Sequence, residues 1–106
     1  MRRTISHKFH AKSVTDNNKK FSSKLEHRYY QQLELRKKSG EILFFLMQVP
    51  FALPGGISYR VDFVEFHANG QVVFTEVKGM NLNVGRIKIK QVEDLYPISI
   101  NLITKA

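Results

Sequence analysis

The alternation of apolar and polar positions changes period along the chain. Over residues 22–38, Leu25, Tyr29 and Leu33 recur every four positions, which predicts a helix with one apolar face. Ser23-Lys24-Leu25-Glu26 has the form of a capping box at its start, and Lys37-Lys38 followed by Gly40 forms a stop. Residues 41–49 (EILFFLMQV) are a continuous apolar run, predicted as a strand closed by Pro50 and followed by a turn at Pro54-Gly55-Gly56. Residues 57–66 and 71–78 are β-branched and aromatic, and predict two strands flanking His67-Ala68-Asn69-Gly70. Over 85–96, Ile89, Val92 and Leu95 share a helical face ended by Pro97, although the Ile-Lys-Ile-Lys alternation at 87–90 also admits a strand. Residues 98–104 close the chain as a strand. Phe44, Phe45 and Phe51 read as core. Tyr29 and Tyr30 read mainly as packing, with one ring a candidate to reach a base. Residues 1–21 have no helical period and read as a polar arm, ordered only where Phe9 or Phe21 finds a surface.

The predicted order is α-β-β-β-α-β, an α/β fold. A right-handed crossover through the last helix makes the final strand parallel to the third, so the sheet is mixed. One domain spans 22–106, preceded by the arm at 1–21. The central hairpin has a predicted register. A three-residue loop Ala68-Asn69-Gly70, with Gly70 left-handed, pairs His67 with Gln71 and sets Asp62 directly across from Glu76. A loop one residue shorter or longer sends those two carboxylates to opposite faces.

Composition narrows the function. The 106 residues suffice for a single core. No cysteine is present, which excludes disulfides, thiolate zinc sites and cysteine nucleophiles and fits a reducing cytoplasm. No apolar run is long enough to cross a bilayer, and no signal-peptide stretch opens the chain, so no membrane partner is expected. The net charge of +8 points to a polyanion as partner, nucleic acid or anionic lipid, although a basic protein without such a ligand has the same charge. That charge is uneven. Residues 1–38 carry eleven Lys and Arg against three acids, residues 39–84 carry two against four, and residues 85–106 carry four against two. A protein that only coats phosphate gains nothing from acids at its centre, whereas one that holds a divalent cation against phosphate needs them.

The central acids form a pattern. Glu76-Val77-Lys78 puts a carboxylate and an ammonium on one strand face, and the hairpin register adds Asp62. Oxygen ligands of this kind suit Mg²⁺ or Mn²⁺, and a neighbouring lysine can orient a water and stabilise charge on a reacting phosphate. Gly79 lets a phosphate or backbone come close. Glu26 reads either as the acidic member of its capping box or as a third carboxylate of the same centre. Asp62 has the alternative of pairing with Arg60, and Glu76 with Lys78 the alternative of a solvated pair. Gln48 reads either as a strand-end amide bonded to backbone or as a group orienting water on a metal. Glu65 alternates to the other face with Tyr59, Val61 and Phe63. Lys88 and Lys90 are either a solvated helix face or phosphate contacts. His7 and His10 have metal-like spacing without further ligands, and read as part of the basic arm.

Asp62 followed by Glu76-Val77-Lys78-Gly79 resembles the signature of the PD-(D/E)xK nuclease superfamily, whose restriction-endonuclease-like core has this element order. Lys8-Phe9-His10-Ala11-Lys12, Phe21-Ser22-Ser23-Lys24-Leu25-Glu26 and Gln48-Val49-Pro50 extend the resemblance over residues 8–104, to small phage-borne endonucleases of that superfamily and to a related transposase endonuclease subunit. Val61 stands where the motif's name has proline. The resemblance implies a Mg²⁺-dependent (or Mn²⁺-dependent) DNA endonuclease. Glu26, Asp62 and Glu76 would hold the metal, Lys78 would serve the attacking water, and the products would carry 5′-phosphate. Arg2, Arg3, Lys8, Lys12, Lys19 and Lys20 would track the DNA backbone. A chain without a recognition domain suits branched DNA, such as a Holliday junction, or loosely specific cutting. Cutting two strands suggests a homodimer. The rival expectations are a non-catalytic nucleic-acid-binding module and a nuclease subunit active only within a transposase or packaging complex.

Overall fold

The computed structural model describes residues 13–16, 19–78 and 83–106. Among these the elements are β1 (Val14–Asp16), β2 (Lys19–Phe21), α1 (Lys24–Lys38), β3 (Ile42–Leu53), β4 (Ile57–His67), β5 (Val72–Val77), α2 (Asn83–Leu95) and β6 (Ile100–Ile103). The expected α-β-β-β-α-β order therefore stands from α1 onward. β3 to β6 form one mixed sheet in the order β3-β4-β5-β6, antiparallel except for the β5–β6 pair, which the crossover through α2 makes parallel. No helix among the described residues is long and apolar enough to cross a membrane.

The hairpin register is the predicted one. Phe63 pairs with Thr75, Val64 with Phe74 and Phe66 with Val72. The loop closes through His67 N–H donating to the Gln71 carbonyl, with Gly70 at φ +94°. Only glycine holds that conformation without strain, so Gly70 sets which face the strand residues occupy.

Two apolar clusters enclose the sheet. Phe21, Leu25, Tyr29, Tyr30, Leu33, Ile42, Phe63 and Val77 pack beneath α1. Leu53, Tyr59, Val61, Val64 and Val92 form the second, with Ile89 and Tyr96 from the α2 side. The break between them falls inside β4. Phe63 belongs to the first cluster, but Tyr59 and Val61 belong to the second, so simple alternation fails at Asp62. Opposite that break in β3, Gln48 adopts φ +54°, a left-handed conformation unusual for a residue with a side chain. The expected shared face of Tyr59, Val61, Phe63 and Glu65 is thus corrected, because the strand pair turns at this point.

Further differences have local causes. Pro50 does not end its strand. β3 lies at the sheet edge and continues through it to Leu53, and an edge strand tolerates the missing N–H. Part of the expected arm is a hairpin, β1 with β2, that seats Phe21 fully in the α1 core, while Asp16 and His27 pair at 2.9 Å. Residues 1–12 and 17–18, which include Arg2, Arg3, His7, Lys8, Phe9, His10 and Lys12, lie outside the described residues. Phe44 is exposed and stacks on Phe66 at 4.4 Å instead of entering a core, whereas Phe45 and Phe51 pack against the two clusters. On α2 the inward positions are Ile89, Val92 and the following Tyr96, while Leu95 is exposed.

Candidate active site at the end of the central hairpin

Helix α1 begins as its sequence dictates. Ser23 caps it, its hydroxyl accepting from Glu26 N–H at 3.0 Å. Glu26 does not return the bond to its own cap residue. Its Oε1 accepts from Ser22 N–H (3.1 Å) and from the Ser22 hydroxyl (2.6 Å), and its Oε2 accepts from Gln48 Nε2 (3.1 Å). The side chain is buried and faces the sheet. Both readings of Glu26 thus describe real contacts, since it braces the helix start and presents a carboxylate to Gln48.

Gln48 joins two of the candidate carboxylates. Its second amide hydrogen goes to Asp62 Oδ1 at 3.2 Å, so one amide nitrogen bridges Glu26 and Asp62. It contacts carboxylates and not the strand end.

Asp62 lies one position beyond the β4–β5 ladder. In place of a backbone bond there, its Oδ2 accepts from Val77 N–H at 2.9 Å, which ties the carboxylate to the strand that carries Glu76. Burial, reinforced by the Glu76 charge and then that of Glu26, pushes the Asp62 carboxyl up to about 7, against the Val77 bond and Lys78. Glu76 is buried, and its Oε2 lies 3.3 Å from the Lys78 ammonium. Its Oε1 has no hydrogen-bond partner. Two carboxylates held together against their own repulsion, one with an orphaned oxygen, are a donor set suited to a hard divalent cation. Among the described residues, however, no group of three or more acidic or histidine side chains converges as a complete cage, because Glu26 reaches the pair through Gln48.

The remaining candidates are dispersed. Lys19, Lys20 and Lys90 are exposed and Lys88 is half-buried, none paired with an acid in the ion pairs described. Gly79 lies outside the described residues. Tyr29 and Tyr30 are buried, which removes both from any contact with a base. Glu65 is on the α1 side with Phe63, apart from Tyr59 and Val61, and accepts there from the Tyr29 hydroxyl at 2.5 Å and the Thr75 hydroxyl at 2.8 Å and pairs with His67 at 3.0 Å. Burial, together with Glu65, pushes Tyr29 up to about 12, so this network ties α1 to the sheet as a neutral phenol on a carboxylate.

Sequence reasoning missed four residues here. Tyr59 enters the neighbourhood of Glu76 only because alternation breaks at Asp62. Arg60, exposed and two residues from Asp62, was read only as a partner for that carboxylate. Lys24 and Arg28, exposed one turn apart on α1, carried a readable signal in their i, i+4 spacing.

No curated protein and no solved structure matches this chain. A family model does match, over residues 6–106, and by that match the chain belongs to the family described as protein of unknown function (DUF1064).

Proposed function

We propose that the protein is a metal-dependent endodeoxyribonuclease with a restriction-endonuclease-like core. The observation that carries this reading is the pair of half-buried Asp62 and buried Glu76, with Lys78 at 3.3 Å from Glu76, on a hairpin whose register sets the two acids side by side. Asp62 and Glu76 would hold Mg²⁺ or Mn²⁺ directly, with Glu26 joined to them through Gln48. When bound, such a cation supplies a more acidic water and charge stabilisation on the reacting phosphate.

The protein's own groups perform the rest. Gln48 fixes Asp62 Oδ1 and Val77 N–H fixes Oδ2, so that carboxylate is oriented at both oxygens. Lys78, attached to the rim and partly exposed, can orient a water and meet negative charge developing on a phosphodiester oxygen. Exposed Arg60, Lys24 and Arg28, with the basic residues in 1–20, suit a DNA backbone. The substrate class proposed is branched DNA, including four-way junctions, or duplex cut with little sequence preference. The active form is a homodimer, and the compartment is the cytoplasm.

One observation favours a second reading, a non-catalytic nucleic-acid-binding module. The three carboxylates are linked through an amide and not gathered into one cage. The two readings separate in one experiment. Supercoiled plasmid, nicked, flap and four-way-junction DNA are incubated with the protein in Mg²⁺, in Ca²⁺ and in EDTA. Cleavage in Mg²⁺ alone, reduced about 10²-fold or more in Glu76→Ala and Lys78→Ala, supports the nuclease. DNA binding that ignores divalent ions, with no cleavage of any substrate, supports the module. Cleavage that appears only on adding a partner protein identifies a subunit of a larger assembly.

A further inference from the structure

Among the described residues, Gln48 alone combines a side chain with a positive φ, and it does so in the middle of a strand. A left-handed backbone at such a residue is strained, and it persists only where the surroundings hold it. At Gln48 those surroundings include two carboxylates. Its Nε2 donates to Glu26 Oε2 at 3.1 Å and to Asp62 Oδ1 at 3.2 Å, so one nitrogen gives both its hydrogens to acids. Glu26 is buried, whereas Gln48 is exposed, so the amide stands at the rim of the carboxylate centre with solvent beside it.

A primary amide has a second use in such a place. Its nitrogen and oxygen are similar in size and flank one carbon, so half a turn about the Cγ–Cδ bond exchanges them. At Gln48 that half-turn brings Oε1 to within about 3 Å of the same two carboxylate oxygens. Three oxygens at that spacing repel one another unless a cation lies among them. Neighbouring oxygen ligands of an octahedral Mg²⁺, each about 2.1 Å from the metal, are themselves about 3 Å apart. The spacing that Gln48 keeps from both acids is therefore the spacing of adjacent ligands on such an ion. Glu76, whose charge acts on Asp62, adds a buried oxygen with no hydrogen-bond partner. No three acidic or histidine side chains among the described residues converge, and none need to where an amide oxygen supplies the missing ligand.

We propose that Gln48 is a reversible ligand of the carboxylate centre. Its amide nitrogen holds Glu26 to Asp62 when no cation is bound, and half a turn presents Oε1 to a divalent cation beside those two carboxylates. The exposed position lets the displaced NH₂ group turn to water, and the rotation needs no change in the strand. The inference rests on the metal-dependent reading above, and adds to it a ligand and the movement that delivers it.

The test uses the full chain with Gln48→Glu and Gln48→Met, each checked for folding by its melting in EDTA. Glutamate keeps an oxygen for the cation and loses the donor, whereas methionine keeps the length and loses both. Mn²⁺ binding is measured by isothermal titration. The expected result is that Gln48→Glu binds Mn²⁺ at least as tightly as the wild type, and Gln48→Met about 10-fold more weakly. In parallel, nitrogen–proton NMR of the wild type follows the Gln48 NH₂ signals, identified by their loss in Gln48→Glu, as Mg²⁺ is added. Those protons are expected to move upfield and to exchange faster with water as they leave the two carboxylates. Should Gln48→Glu weaken Mn²⁺ binding as much as Gln48→Met, the amide is a fixed donor, and the reversal is overturned with the metal reading intact. NH₂ signals that stay in place while Mg²⁺ binds overturn it equally, and this measurement stands even where Gln48→Met does not fold. A wild-type chain that binds neither ion overturns the metal reading, and this inference with it.

Discussion

At the scale of single residues, Asp62 is a carboxylate whose surroundings favour its protonated form. Burial and the nearby Glu76 charge raise it from 3.8 to about 7, so the folded protein keeps a proton that the unfolded chain releases. The stability this contributes is fully present below pH 3.8 and is lost as pH rises through about 7. In EDTA, the melting temperature of the wild type is expected to fall between pH 4 and pH 7.5 more steeply than that of Asp62→Asn, whose amide does not titrate. Mg²⁺ added at pH 7 is expected to reverse the fall in the wild type alone. Parallel pH profiles for the two proteins contradict this assignment. Asp62, Glu76 and Lys78 were legible in the sequence because a strand has period two and a glycine-bearing loop fixes register. Tyr59 was not, because its place depends on a break in that period which is visible only in the way β3 and β4 turn together. Nor was the number of partners on Glu65, since Tyr29 and Thr75 approach it from distant parts of the chain.

At the scale of elements, local signals sufficed wherever the decisive interaction is local. The capping serine of α1 and the left-handed Gly70 follow from residues within a few positions of one another, and the parallel crossover follows from the order of its elements. Pro50 misled because its effect depends on whether a strand lies at the edge or the centre of a sheet, which is a tertiary property. The β1–β2 hairpin misled for a similar reason, since three-residue strands carry too little pattern to read and gain their order by packing on α1. Phe21 tests this point. It is fully buried beside Leu25 and Tyr30, with its ring 4.8 Å from that of Tyr30. Phe21→Ala is expected to cost about 3–5 kcal/mol in urea unfolding, the usual loss for a buried phenylalanine. A change near zero would return residues 19–21 to a loosely attached arm.

At the scale of the whole molecule, charge is sorted by place. Positive residues are concentrated in the first third of the chain, while Asp62 and Glu76 meet at the end of the hairpin. On the nuclease reading this arrangement separates affinity from chemistry, because the basic residues attract the whole DNA backbone and the acids act on one phosphate. The separation has a measurable form. Each phosphate neutralised by a lysine or arginine adds about 0.9 to the slope of log affinity against log salt on duplex DNA. Binding to a duplex in Ca²⁺, measured across a salt series, should therefore lose about 3–4 from that slope when Arg2, Arg3, Lys8 and Lys12 are all changed to Gln. Changing Lys24 and Arg28 should remove about 2 more. Cleavage by either variant at low salt and saturating DNA should remain close to that of the wild type, since on this reading the chemistry belongs to Asp62, Glu76 and Lys78. A slope that does not move would place the DNA elsewhere on the surface. A slope that moves together with loss of cleavage at saturation would mean that the basic residues also position the phosphate being cut, so that affinity and chemistry share one surface.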